Sequence, residues 1–178
     1  MRRWLLARAV LWIPLVCAAA DDATQSPKGS YIITQTLGEK WNATLHFVDG
    51  SGVDAPLAVD PDQYPWAGSY YISPDEHWIM RVQKTGSGEN CAFLYRVEPN
   101  GRVSRMEQHL DDLAFRFLAT KAGIARKDFY HTGIAFVSWD MPKHLLKFTV
   151  SGSRLNERAK GIERQLAYDW EKHVIVSL

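Results

Sequence analysis

A chain of 178 residues with 21 basic and 20 acidic side chains carries a formal net charge of +1. That excludes the basic stripe a nucleic-acid binder needs to neutralise phosphates. The length suits one domain able to bury a core without a metal or disulfide staple, and with Cys17 and Cys91 alone there is no disulfide framework to read.

Arg2, Arg3 and Arg8 precede the apolar run from Ala9 to Val16, which ends in Cys17-Ala18-Ala19-Ala20. A charged start, a short apolar stretch and small residues at the exit describe a secretory signal peptide over residues 1–20. The run is shorter than the ~20 apolar residues that cross a bilayer as a helix, and Pro14 interrupts it. Pro14 and Val16 also occupy positions where a lipid-attachment signal at Cys17 would carry Leu and a small residue. The expectation is an exported protein, periplasmic or secreted, cleaved near Ala20, with Cys91 as its one thiol and no membrane span in the mature chain.

Residues 21–30 are polar, contain Pro27 and Gly29, and are expected to be flexible, with a single globular domain over 31–178. Tyr31 to Gln35 and Trp41 to Val48 read as strands, the second placing Trp41, Ala43, Leu45 and Phe47 on one face. A long loop from Asp49 to Ser69 follows. Tyr70-Tyr71-Ile72 then leads into the turn Ser73-Pro74-Asp75-Glu76, and Trp78 to Gln83 and Cys91 to Val97 form two further strands. Asn100-Gly101 predicts a hairpin with a type I′ turn. The stretch from Tyr71 to Ile79 is similar to the Ser-Pro-Asp opening of a blade in periplasmic β-propellers, over a small fraction of the chain. The resemblance implies a strand–turn–strand unit, because the chain has room for about three blades where a closed propeller needs at least four.

Ser104 and Glu107 form a capping-box pattern ahead of Met106, Leu110, Leu113, Ala114, Phe117 and Leu118, which predict one apolar helix stripe stopped by Gly123. Asp111 and Asp112 fall on its polar side, with Asp112 and Arg116 spaced as a solvated pair. Asp128 to Trp139 is apolar on both faces and predicts a central strand covered on two sides. His144 to Val150 alternates, Ser151 to Gln165 is ambiguous between helix and strand, and Leu166–Trp170 with His173–Val176 predicts a closing hairpin. The expected class is α+β: a mostly antiparallel sheet, a meander of six to nine strands, packed by one long amphipathic helix.

No motif for catalysis emerges. There is no Gly-x-Ser-x-Gly elbow, the six histidines lack zinc-ligand spacing, and the glycine-rich stretch Lys84 to Gly88 lacks P-loop spacing. No cofactor, metal or catalytic residue is assigned. The informative cluster is aromatic: Tyr64, Trp66, Tyr70 and Tyr71, with Trp78 beyond, beside Asp60, Asp62, Asp75 and Glu76. Broad apolar rings with polar handles suit a protein, small-molecule or glycan partner. The sequence therefore reads as a non-catalytic binding module of the cell envelope or the exterior. The alternatives are a small secreted hydrolase using Cys91 as a reactive thiol and His131 as base, or a structural envelope component.

Overall fold

The computed structural model describes residues 22–50, 52–58, 66–154 and 161–178. The expected leader with Cys17, and the site candidates Asp60, Asp62 and Tyr64, lie outside the described residues. Within them, twelve strands form three four-stranded antiparallel sheets, joined by one α-helix. The first sheet holds β1 (Asp22–Gln25), β2 (Tyr31–Leu37), β3 (Trp41–Phe47) and β4 (Ala55–Pro56). The middle sheet holds β5 (Gly68–Ile72), β6 (Trp78–Gly86), β7 (Glu89–Val97) and β8 (Val103–Arg105). The last holds β9 (Phe129–Asp140), β10 (Leu145–Arg154), β11 (Ile162–Asp169) and β12 (Val174–Ser177). Helix α1 (Leu110–Ala122) connects the middle sheet to the last.

Each sheet takes four successive strands in neighbour-to-neighbour order, the connectivity of a propeller blade. The expected single meander is thus corrected to three short ones, and the protein is predominantly β. The reason is visible in the middle sheet. Trp78, Met80, Ala92 and Leu94 pack with α1 and the last sheet, while Ile79, Phe93, Tyr95 and Val97 pack with Tyr31, Ile33 and Leu45 of the first. Successive side chains of a strand point to opposite faces, so β6 and β7 supply two cores and must be apolar on both.

Several local expectations change with this arrangement. Residues of the segment read as flexible include β1, whose backbone pairs with β2 from Asp22↔Gln35 to Gln25↔Ile32. The Asn100-Gly101 hairpin forms, but Gly101 alone has positive φ (77°), and the Glu98 amide donates to the Arg102 carbonyl at 2.8 Å. A type I′ turn would need positive φ at Asn100 as well. β9 is an edge strand of the last sheet rather than a central one. Its apolar inner side chain Ile134 enters the shared core, and its amide is capped by the Asn90 side chain of the middle sheet. Of the ambiguous stretch 151–165, the part from Ile162 is strand β11.

The helix begins later than the capping box implies. Ser104 belongs to β8, His109 is the N-cap, and no side chain caps the helix start. Its buried face is Leu110, Asp111, Ala114, Phe115 and Leu118, a stripe rotated from the expected one. Gly123 does stop it, at φ 64°, donating to the Ala119 carbonyl. Asp112 binds Arg126 rather than Arg116, whose guanidinium reaches Gln108.

Candidate functional site

Three hairpin turns meet at one end of the middle and last sheets. The β5–β6 turn brings Asp75, His77 and Trp78; the β9–β10 turn brings Met141 and His144; the β11–β12 turn brings Trp170, Glu171 and His173. With Arg96 from the end of β7 they enclose a cleft of about 510 Å³. Its floor is aromatic: Trp170 lies 5.9 Å from Trp78 and 5.8 Å from Trp139, ring centre to ring centre, with the His144 imidazole 5.9 Å away. Arg96 places its guanidinium over Trp78 at 5.6 Å and pairs with Glu98 at 3.1 Å.

The turn Ser73-Pro74-Asp75-Glu76 holds the cleft's first wall in place. The Trp78 amide donates to the Ser73 hydroxyl at 2.9 Å, and the His77 amide to the Asp75 carboxylate at 3.1 Å. Glu76 sits at φ 69°, a region that favours glycine. Its side chain accounts for the exception: the carboxylate accepts the Lys28 amide, and the Glu76 carbonyl accepts the Tyr31 hydroxyl at 3.1 Å. Burial works to raise the Glu76 pKa, but hydrogen bonds from the Ser30 and Ser26 hydroxyls and the Lys28 and Ser30 amides outweigh it. The carboxyl is held below the ordinary glutamate value.

Three non-glycine residues among those described have positive φ: Glu76, His144 (56°) and His173 (57°). Both histidines line the cleft, and Glu76 is flanked by two residues that do. Each such residue costs of order 1–2 kcal/mol. The imidazole hydrogen bonds also have definite sense. His77 Nδ1 faces the Val97 carbonyl at 3.1 Å and His144 Nδ1 faces the Glu171 carboxylate at 2.9 Å. Both partners only accept, so Nδ1 carries the proton and Nε2 remains an acceptor in the neutral ring. His173 Nδ1 meets the Tyr168 hydroxyl at 3.0 Å. Burial, then the neighbouring Asp169 charge, raises the Tyr168 pKa, so that phenol keeps its proton.

The residues singled out in the sequence are dispersed. Tyr70 and Tyr71, adjacent on β5, face opposite ways. Tyr70 enters the layer between the first and middle sheets, 9% exposed, whereas Tyr71 stacks on Phe136 at 4.4 Å on the other side. Trp66 is 36% exposed near the far end of the middle sheet, with the Lys84 ammonium 4.8 Å above its ring. Cys91 is buried in the first layer beside Phe93 and Tyr95. His131 lies on β9 of the last sheet, paired with Ser153, whereas Cys91 belongs to the core between the first and middle sheets. The cleft residues Arg96, His144, Trp170 and His173 carry no sequence motif. Their signal is a pair of hairpin turns bearing aromatic and imidazole side chains where Gly or Asn is the ordinary choice.

Among the described residues, no three His, Cys, Asp or Glu side chains are placed to hold a metal, and no helix is long and apolar enough to cross a membrane. No family model matches the chain, and no curated protein matches it. Among solved structures it is similar to TolB from Acinetobacter baumannii, at 12% identity and a TM-score of 0.41. The match covers 89% of this chain and 32% of that one, so this chain spans about a third of that protein.

Proposed function

We propose that the protein is an exported, non-catalytic binding module of the cell envelope or exterior, a single domain that takes in strand β1 as well as residues 31–178. It takes its partner at the cleft framed by His77, His144 and His173. The observation that carries this reading is the convergence of the two left-handed histidines on one aromatic-floored cleft. Strain held by well-packed surroundings clusters where a site must present side chains in a set geometry. Export rests on the arginine-led leader. Trp66, together with the sequence candidates Tyr64, Asp60 and Asp62, is proposed as a further partner contact.

A photo-crosslinking residue at Glu171, in the full chain expressed with its leader, tests it. The expected result is one discrete adduct with an envelope or exterior component, lost when His144→Gly is combined with it. A probe at Glu163, exposed on β11, should give none. Absence of any adduct from position 171, or an equal pattern from both positions, overturns the assignment.

A further inference from the structure

We propose that the partner engaged at this end of the molecule presents a basic, extended peptide segment, an inference that rests on the binding reading above. The cleft does not stop at the middle sheet. A second groove of about 320 Å³ lies between the turn ends of the first and middle sheets, bounded by Lys28, Tyr31, Phe47, Asp49, Glu76 and Glu98. The two share Asp75 and His77 as a common wall. Side by side they make a trough in two parts, divided at Asp75 and His77, along the turn ends of the three sheets. Packed sheets stand ~10 Å apart, so the trough spans about 20 Å, the length of about six residues of extended chain.

Its chemistry has a sign. Asp49, Asp75, Glu76, Glu98 and Glu171 line it, against the cationic side chains Lys28 and Arg96. Arg96 and Glu98 neutralise each other, and the buried Glu76 carboxylate is taken up by the hydroxyls and amides around it, so Asp49, Asp75 and Glu171 set the sign. His77 and His144 commit Nδ1 to the Val97 carbonyl and the Glu171 carboxylate. A trough lined by carboxylates complements ammonium and guanidinium donors and repels acidic or phosphorylated chains. The indole floor of Trp78 and Trp170 suits the same cations.

Fluorescence anisotropy on the purified full chain tests this, with a labelled alternating Lys-Ala peptide of about ten residues and its Glu-Ala counterpart. The Lys-Ala peptide should bind, and lose affinity about tenfold between about 0.05 M and about 0.3 M salt. Glu171→Gln and Asp49→Asn should each weaken it about threefold to fivefold, the worth of an exposed ion pair, while Glu163→Gln leaves it unchanged. Equal binding of both peptides, no binding of Lys-Ala, or equal effects of Glu171→Gln and Glu163→Gln overturn the proposal. If position 171 captures a partner by photo-crosslinking and Lys-Ala does not bind, the basic-peptide inference fails and the binding reading stands. If both fail, both are lost.

Discussion

The Asp111 carboxylate accepts the backbone amide of Ala92 at 3.1 Å, doing for β7 what a neighbouring strand would do. β8 pairs with β7 only from Tyr95 to Val97, and beyond that the Met106 amide and then the Asp111 side chain complete the edge. Asp111 is 1% exposed, and its second oxygen binds Arg126 at 2.9 Å. Burial raises its pKa despite the Ala92 amide and Arg126. Asp111→Ala, which leaves that amide and Arg126 without their buried partner, should cost about 3 kcal/mol in urea denaturation. Asp111→Asn keeps an acceptor and should cost less. Because the folded-state carboxyl ionises later than the unfolded one, the native protein loses stability as pH rises through the folded-state pKa. Asp111→Asn should gain on it over that window.

Glu76 runs the opposite way. Its folded-state pKa is lowered, so its contribution is present above the unfolded glutamate value and is lost as pH falls through the folded value. Glu76→Gln should destabilise by about 1–3 kcal/mol at neutral pH, the range for a hydrogen bond to a charged group. That difference should shrink in acid. Thermal melts from about pH 7 down to about pH 3 check it, and a pH-independent difference would contradict the ionised, hydrogen-bonded carboxylate.

Arg81 is 2% exposed between the first two sheets. It donates to the Leu57 carbonyl at 2.9 Å and twice to the Gln83 side chain, with the Tyr70 ring 5.5 Å from its guanidinium carbon. A Cβ on Gly68 would lie 2.7 Å from Arg81 Nε, and that guanidinium is pinned by its hydrogen bonds. Gly68→Ala should therefore destabilise by about 1–3 kcal/mol. The Tyr70 hydroxyl is buried with no hydrogen-bond partner among the described residues, so Tyr70→Phe removes an unsatisfied group. Its unfolding free energy should equal or exceed that of the native protein by about 1 kcal/mol.

Two tryptophans separate packing from display. Trp78, 7% exposed, belongs to the core shared by the middle and last sheets, and Trp78→Ala should cost about 3–5 kcal/mol. Trp66→Ala removes a half-exposed ring and its contact with Lys84, and should cost about 1 kcal/mol or less. Chemical denaturation of the pair distinguishes them.

His144→Gly relieves a left-handed backbone and gives up an exposed contact with Glu171. The relief is worth about 1 kcal/mol and the exposed pair about 1 kcal/mol or less. The melting temperature should stay level or rise while partner capture falls. A substantial loss of stability would make His144 a structural residue instead.

Much of the secondary structure was legible. The alternation in Trp41 to Phe47 and His144 to Val150, the Ser73 turn, the Asn100-Gly101 hairpin and the Gly123 stop all depend on neighbours within a few residues. The division into three sheets was signalled, though less plainly: Trp78-Ile79-Met80 and Cys91 to Tyr95 do not alternate, as strands covered on both faces should not. β9 shows why such signals mislead, since an edge strand abutting another sheet is as apolar as a central one. The capping-box pattern misplaced the helix start because Ser104 was taken up by β8, a pairing with β7 that competes with any local cap.

For the candidate site, the sequence by itself located the turns and determined which residues they carry, because turn chemistry and strand alternation are local. It could not bring His77, His144 and His173 together, nor show that the faces carrying Tyr70 and Tyr71 each meet a core. Only the stacking of the sheets decided that. Residues distant in sequence meet there through the relative placement of whole meanders, an outcome of shared cores on both faces of β6 and β7 rather than of any one segment's preference.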